Sequence, residues 1–306
     1  MYRQFVIVLI MAFSLINNGC FRSQPDAVEV DFSIASEGEE NSETNADSKA
    51  TLRVAIATVI SPRESFSYYK DLFEFLSQQL NRKIEFKQSM TYQEVNDMLS
   101  KNLVDMAFIC SGAYVVGSDH LELLVVPVVN GLPYYRGYII TNEANNIFQF
   151  EDFKGKSFTY SDPLCFTGKL YIDSRLMDME TTADEFFGEV KFSMSHDVSI
   201  QMVSRNMVDG ASVNGLIFDY MSEYHPDHVG RIRIIEKSGY NGIPPIVNSL
   251  LMPRDLREEI QAFFLNMHET STGKEILDKL LIDRFILGND SLYHGLREAK
   301  NIYEPV

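Results

Sequence analysis

Residues 51–88, TLRVAIATVISPRESFSYYKDLFEFLSQQLNRKIEFKQ, decide the fold. TLRVAIAT and KIEFKQ are short β-rich runs, and the stretch between them sets Phe66, Tyr69, Phe73, Leu76 and Leu80 at helical spacing. Strand, helix and strand in succession make a βαβ unit. Such units build parallel sheets, whose ligand sites lie at the C-terminal ends of the strands.

The pattern continues outward from this unit. TYQEVNDML carries Thr91 and Glu94 in capping-box register, and DMAFICS and LELLVVPVV are further β-rich runs. After Thr141 a second βα series begins with FQFEDFKGKSFTYS, a helix after Pro163, and EVKFSMSHDVSIQMVSRNMVDGASV. RIRIIEKS and NSLLM read as strands. PRDLREEIQAFFLNM and TGKEILDKLL read as C-terminal helices, the second capped by Thr272 and Glu275. The middle series interrupts the first. This predicts an α/β protein of two lobes, residues 51–138 with 240–306 and residues 139–239, each a mainly parallel sheet flanked by helices. Two crossovers, near RGYIIT and RIRIIEKS, would act as a hinge around a cleft. The roughly 255 residues after Thr51 suffice for two cores.

The N-terminal residues point to export. An apolar run from Phe5 to Ile16 follows a single Arg, long enough for a signal peptide and short for a membrane span. Gly19 before Cys20 resembles the cleavage site of a bacterial lipoprotein, so residues 1–20 read as a signal with Cys20 as the lipidated N-terminus. Simple secretion and an uncleaved anchor are the alternatives. Residues 26–48 hold eight acidic side chains and no basic one, which makes 21–50 a disordered tether and supplies half of the formal charge of −16. No basic stripe is present to neutralise phosphates, so a nucleic-acid partner is excluded. No Gly-rich phosphate loop and no HxxxH or CxxC spacing occurs either, so neither cofactor nor metal is expected.

The chemistry-bearing stretch is SDPLCFTGKLY, Ser161 to Tyr171: the end of a strand, a Pro-pinned turn and a helix start. Helix-start amides favour an anion. Yet Cys165 and Phe166 stand where hydroxyls would be the natural helpers.

In order along the chain lie NLVDMAF before a loop with Ser111 and Tyr114, then GLPYYRGYIIT, FEDFKGKSF, SDPxxxTG, SHDVSIQMV, MVDGASV and IPPIV. From about Thr51 to Phe285 the sequence resembles the phosphate, phosphite and phosphonate-binding proteins of ABC transporters, a branch of the type 2 periplasmic binding proteins. That resemblance implies a periplasmic or cell-surface protein, membrane-anchored through its lipid. It would be monomeric and would deliver a small anionic ligand to a permease. The family's Ser-Thr-Ser-Gly after Asp-Pro reads here Cys165, Phe166, Thr167 and Gly168, so two hydroxyl donors are replaced. By the same resemblance His196 contacts the ligand, and Tyr92, Ser111, Tyr114 and Tyr135 line the cleft; in such a cleft the His196 contact would be charge-assisted. The positions matching the carboxylates that hold an aminoalkylphosphonate's amine are Leu216 and Pro244, which disfavours a zwitterion.

Plainer readings stand beside these. His196, Asp197 and Ser199 also fit a helix cap, Tyr92 a capping turn, and Tyr135 a core-facing strand position among Tyr134 and Tyr138. Cys165 reads equally as a small buried hydrophobe. A Cys110–Cys165 disulfide would staple the lobes together, so two free thiols are expected. A thiol enzyme with Cys165 as nucleophile and His196 as base is a rival, as is a ligand-sensing lipoprotein that reports to a membrane receptor.

Overall fold

The computed structural model describes residues 29–31, 49–57, 59–89 and 91–297. The signal segment with Cys20 lies outside these, as does most of the acidic segment. Glu29–Asp31 of that segment runs antiparallel along strand Arg82–Gln88.

Among the described residues the larger sheet has seven strands. From edge to edge these are Glu29–Asp31, Arg82–Gln88, Lys49–Ile56, Met106–Phe108, Ile246–Ser249, Leu121–Val128 and Arg284–Leu287. The smaller has five, in the order Ile232–Lys237, Gly137–Asn142, Gly210–Asn214, Ser157–Tyr160 and Glu189–Phe192. The chain passes from the larger to the smaller sheet between Tyr135 and Gly137 and returns after Lys237. A small ladder at the crossing pairs Tyr134–Tyr135 with Asn241–Gly242.

Both sheets are mixed, which corrects the expectation of mainly parallel ones. Lys49–Ile56 is parallel to both its neighbours, but Ile246–Ser249 is antiparallel to Met106–Phe108 and to Leu121–Val128. The reason is the inserted lobe. Ile246–Ser249 enters its sheet from the cleft, whereas Met106–Phe108 runs toward the cleft. Gly137–Asn142 likewise starts at the cleft and lies antiparallel to Gly210–Asn214 and Ile232–Lys237.

Apolar side chains cover both faces of each sheet. Helix Pro62–Leu80 buries Phe73, Leu76 and Leu80 against Val54, Ile84 and Phe86, while the side chain of Phe66 lies outside the described residues. Helix Tyr92–Ser100 has the predicted capping box, Thr91 with Glu94. In the C-terminal helix the cap is Thr270, two residues before Thr272, with its hydroxyl accepting the Gly273 amide at 3.0 Å. In the smaller lobe Phe150, Phe153, Phe158 and Phe187 belong to one core, rich in aromatic rings, and Ile140, Val203, Val213 and Met221 to a second, largely aliphatic one.

Candidate functional site between the two lobes

The strands that end at the cleft deliver the site. Met106–Phe108 leads through Ile109 to Cys110 and the helical turn Ser111–Gly117, in the larger lobe. Ser157–Tyr160 leads to Ser161, the Asp162–Pro163 turn and Cys165, in the smaller. Asp162 shapes that turn by accepting the Leu164 amide at 2.7 Å, and its other oxygen accepts the amide of Tyr92 in the opposite lobe at 3.1 Å. Burial raises the Asp162 pKa against the pull of these amides.

Cys165 caps the helix that follows. Its carbonyl accepts the amides of both Lys169 and Leu170, at 2.9 and 3.1 Å, so the helix opens with a wide π-type turn over Phe166–Leu170 before Tyr171–Asp178. Wide turns of this kind recur at functional sites. The Gly168 amide donates to Cys165 Sγ at 3.3 Å, so a sulfur holds the position usually given to a hydroxyl or carboxylate oxygen.

The two cysteines meet across the cleft as free thiols, with Cys110 Sγ and Cys165 Sγ 3.6 Å apart. Burial opposes ionisation of both. At Cys110 the hydrogen bond with Cys165 and the amides of Gly112 and Phe166 outweigh burial and draw the thiol below its ordinary value. At Cys165 burial and the neighbouring sulfur push it well up. The pair titrates as a unit, with negative charge best held on Cys110, between one amide from each lobe.

His196, the first residue of helix His196–Ser204, completes the cluster. Its Nδ1 accepts the Asn214 amide at 3.1 Å, and its Nε2 lies 3.3 Å from Cys165 Sγ. With the Nδ1 lone pair in use, the neutral ring carries its proton on Nε2 and donates it to the sulfur. Burial lowers the His196 pKa to about 3. The ring is therefore uncharged, and what it can offer an oxyanion is an N–H donor without a positive charge, so any charge assistance would come from the ligand alone. Nε2 also has no lone pair with which to take a proton from Cys165.

Hydroxyls ring the sulfurs. Tyr135 Oη lies 2.8 Å from Ser111 Oγ, and Thr167, whose side chain eases the rise in the Tyr135 pKa, has its Oγ1 3.7 Å from Cys165 Sγ. Tyr92 Oη and Ser161 Oγ both approach the Cys165 sulfur, yet neither makes a well-formed hydrogen bond, and both are buried. Burial raises the pKa of Tyr92 and Tyr135 well above the ordinary phenol value. Among the described residues no Lys or Arg side chain bonds to this cluster. Lys169 pairs with Asp173, and Arg136 donates to the carbonyls of Lys237 and Ser238.

Of the residues singled out in the sequence, Tyr92, Ser111, Tyr135, Cys165, Thr167 and His196 converge. Phe166 contributes its amide, while its ring packs toward Tyr171 at 6.4 Å. Tyr114 turns away: its hydroxyl donates to Asp290 at 2.8 Å, and its ring lies 4.8 Å from that of Tyr293. Cys110 and Gly112 enter the site without having been chosen for it. A Cβ on Gly112 would stand 2.2 Å from the Leu164 carbonyl oxygen, so only glycine lets the lobes approach this closely. A cavity of about 360 Å³ adjoins the cluster through Ile109 and Asn214, and Phe108 and Phe285 form part of its lining. Leu216 and Pro244 line it too and offer an ammonium group nothing, but Asp219, Asp278 and Asp283 place carboxylates in the same lining.

Residues 54–293 match the model of the periplasmic substrate-binding protein of phosphonate ABC transporters. The chain belongs to this family. The family is one of substrate-binding transport proteins, and it carries a periplasmic location. The chain is 28% identical over 165 residues to the phosphate-import protein PhnD of Mycolicibacterium smegmatis, a match that spans 50% of this chain and 50% of the relative. The phosphonate-transporter binding protein of Pseudomonas aeruginosa superposes with a TM-score of 0.79 at 20% identity, over 83% of this chain and 86% of that one. PhnD1 of Prochlorococcus marinus, solved with methylphosphonate, gives 0.75 at 15% identity, over 84% and 99%. Both have the two-lobe fold of type 2 periplasmic binding proteins.

Proposed function

We propose that this protein captures a small oxyanion of the phosphonate class between its lobes and presents it to the permease of an ABC importer. The observation that carries this reading is the position of the Cys110 sulfur, where amides from both lobes meet. The Gly112 amide in one lobe and the Phe166 amide in the other draw that thiol below its ordinary pKa, so the point where the lobes meet favours negative charge, as a bound phosphonyl oxygen requires. Ser111, Tyr135 and Thr167 supply hydroxyls around it, and neutral His196 supplies one further donor. Backbone amides and neutral donors hold an oxyanion without a cation, as they do at other helix-start anion sites.

Cys20 serves as the lipid anchor and the acidic segment as the tether that keeps the monomeric lobes near the permease. The His196 tautomer speaks against catalysis by Cys165, because the triad logic requires a base with a free lone pair. Mass spectrometry of small molecules released from protein purified under native conditions tests the reading. A phosphonate, phosphite or phosphate is the expected release, and a solute without an oxyanion would refute it. A sensing role for the same cleft would leave ligand release unchanged but would abolish signalling, not uptake, when the gene is deleted.

A further inference from the structure

We propose that the same cleft also takes a thiophilic oxyacid, a trivalent metalloid hydroxide, by bonding it to Cys110 and Cys165 together. The inference rests on the reading of the inter-lobe cleft as the solute site, and it goes beyond that reading by adding a second ligand class bound covalently.

Four observations carry it. The sulfurs come from opposite lobes and lie 3.6 Å apart, close enough for one atom to bridge both, so bridging would also close the cleft. Both are fully buried, where competing water and bulky thiols are excluded. No Lys or Arg bonds to the cluster among the described residues, and His196 is neutral, so an uncharged oxyacid avoids the cost of burying an unpaired anion. Tyr92 Oη and Ser161 Oγ are buried beside Cys165 without satisfied hydrogen bonds, and they are free to donate to an oxygen the ligand retains. A metal ion fits less well. Among the described residues no group of three or more His, Cys, Asp or Glu side chains is placed to hold one.

The exchange balances without an oxidant. The hydroxide M(OH)₃ and two thiols give M(OH)(SR)₂ and two waters. Two M–O and two S–H bonds break, two M–S and two O–H bonds form, and each thiol proton leaves on the departing hydroxide. The Cys110 thiolate attacks first, because the Gly112 and Phe166 amides stabilise its charge, and Cys165 follows.

Arsenite, present as uncharged As(OH)₃ at neutral pH, is the probe, applied to the reduced protein with methylphosphonate as the second arm. Titration calorimetry should show one site, and native mass spectrometry a mass gain equal to As(OH)₃ less two waters. Cys110→Ser and Cys165→Ser should each weaken arsenite binding by about a hundredfold or more, the scale lost when the second bond is no longer intramolecular. Thermal melting of each variant checks that it is folded. Prior arsenite should also block methylphosphonate. Methylphosphonate binding with no arsenite binding, or arsenite binding that survives both serine variants, overturns the inference and leaves the oxyanion reading standing. Binding of neither probe overturns both.

Discussion

His196 makes the protein sensitive to mild acid in a way that one substitution should remove. Its pKa is lowered from about 6.5 in the unfolded chain to about 3 by burial, so between those values the unfolded state binds a proton that the folded state refuses. The stability that goes with a neutral imidazole is complete above about pH 6.5. It falls as the pH drops toward about 3, because only the unfolded state gains. From pH 7 to pH 5 the deficit is about 1.5 pH units, or about 2 kcal/mol at 1.36 kcal/mol per unit. Replacing the ring by glutamine isolates this contribution from the carboxylates. The Gln oxygen can accept the Asn214 amide and its NH₂ can donate to Cys165, as Nδ1 and Nε2 do now, but it never titrates. Urea unfolding at both pH values, on wild type and His196→Gln, should show the wild type losing about 2 kcal/mol more than the variant. Equal losses would refute the buried neutral imidazole and the proton placement built on it.

Tyr114→Phe removes the hydrogen bond to Asp290 and should lower stability by about 1 kcal/mol in thermal or urea unfolding, while ligand affinity stays unchanged. A loss of affinity would return Tyr114 to the site. Cys165→Ser with Phe166→Thr restores two hydroxyl donors beside the Gly168 and Phe166 amides. At about 1.5 kcal/mol or more per charge-assisted bond, less the apolar contacts of Phe166, methylphosphonate should bind on the order of tenfold to a hundredfold more tightly by calorimetry. An unchanged or weaker affinity would mean that Cys165 and Phe166 already suit the ligand.

What could be read from the sequence was mostly local. The Thr91–Glu94 box depends on residues three apart, and the stripe from Tyr69 to Leu80 on one helical face, so both were legible. Strand direction was not. Ile246–Ser249 is antiparallel because it enters its sheet from the cleft after a hundred-residue excursion, a property of topology that no local pattern carries. Thr270 caps the last long helix in place of Thr272 because its hydroxyl reaches Gly273, and two threonines this close look alike in sequence. Tyr135, Thr167 and His196 were named through the family resemblance, and the structure brings them together around the sulfurs. Cys110 was visible only as a thiol, since the partner that gives it meaning lies 55 residues away on the other lobe. The neutral state of His196 follows from complete burial and the Asn214 amide, and neither is written in the SHD triplet.

The central claim is that solute is held where Gly112 meets Leu164 and Phe166 across the closed cleft. Calorimetric titration of methylphosphonate into Gly112→Ala, beside wild type, tests it most directly. The added Cβ would stand 2.2 Å from the Leu164 carbonyl oxygen and 3.0 Å from the Phe166 nitrogen, both backbone atoms of the opposite lobe, so closure must be lost while each lobe still folds. The account predicts one binding site in wild type, and affinity at least about tenfold weaker in the variant, a cost of about 1.4 kcal/mol or more, at an unchanged melting temperature. Equal affinity in the two proteins would place the ligand elsewhere and contradict the account.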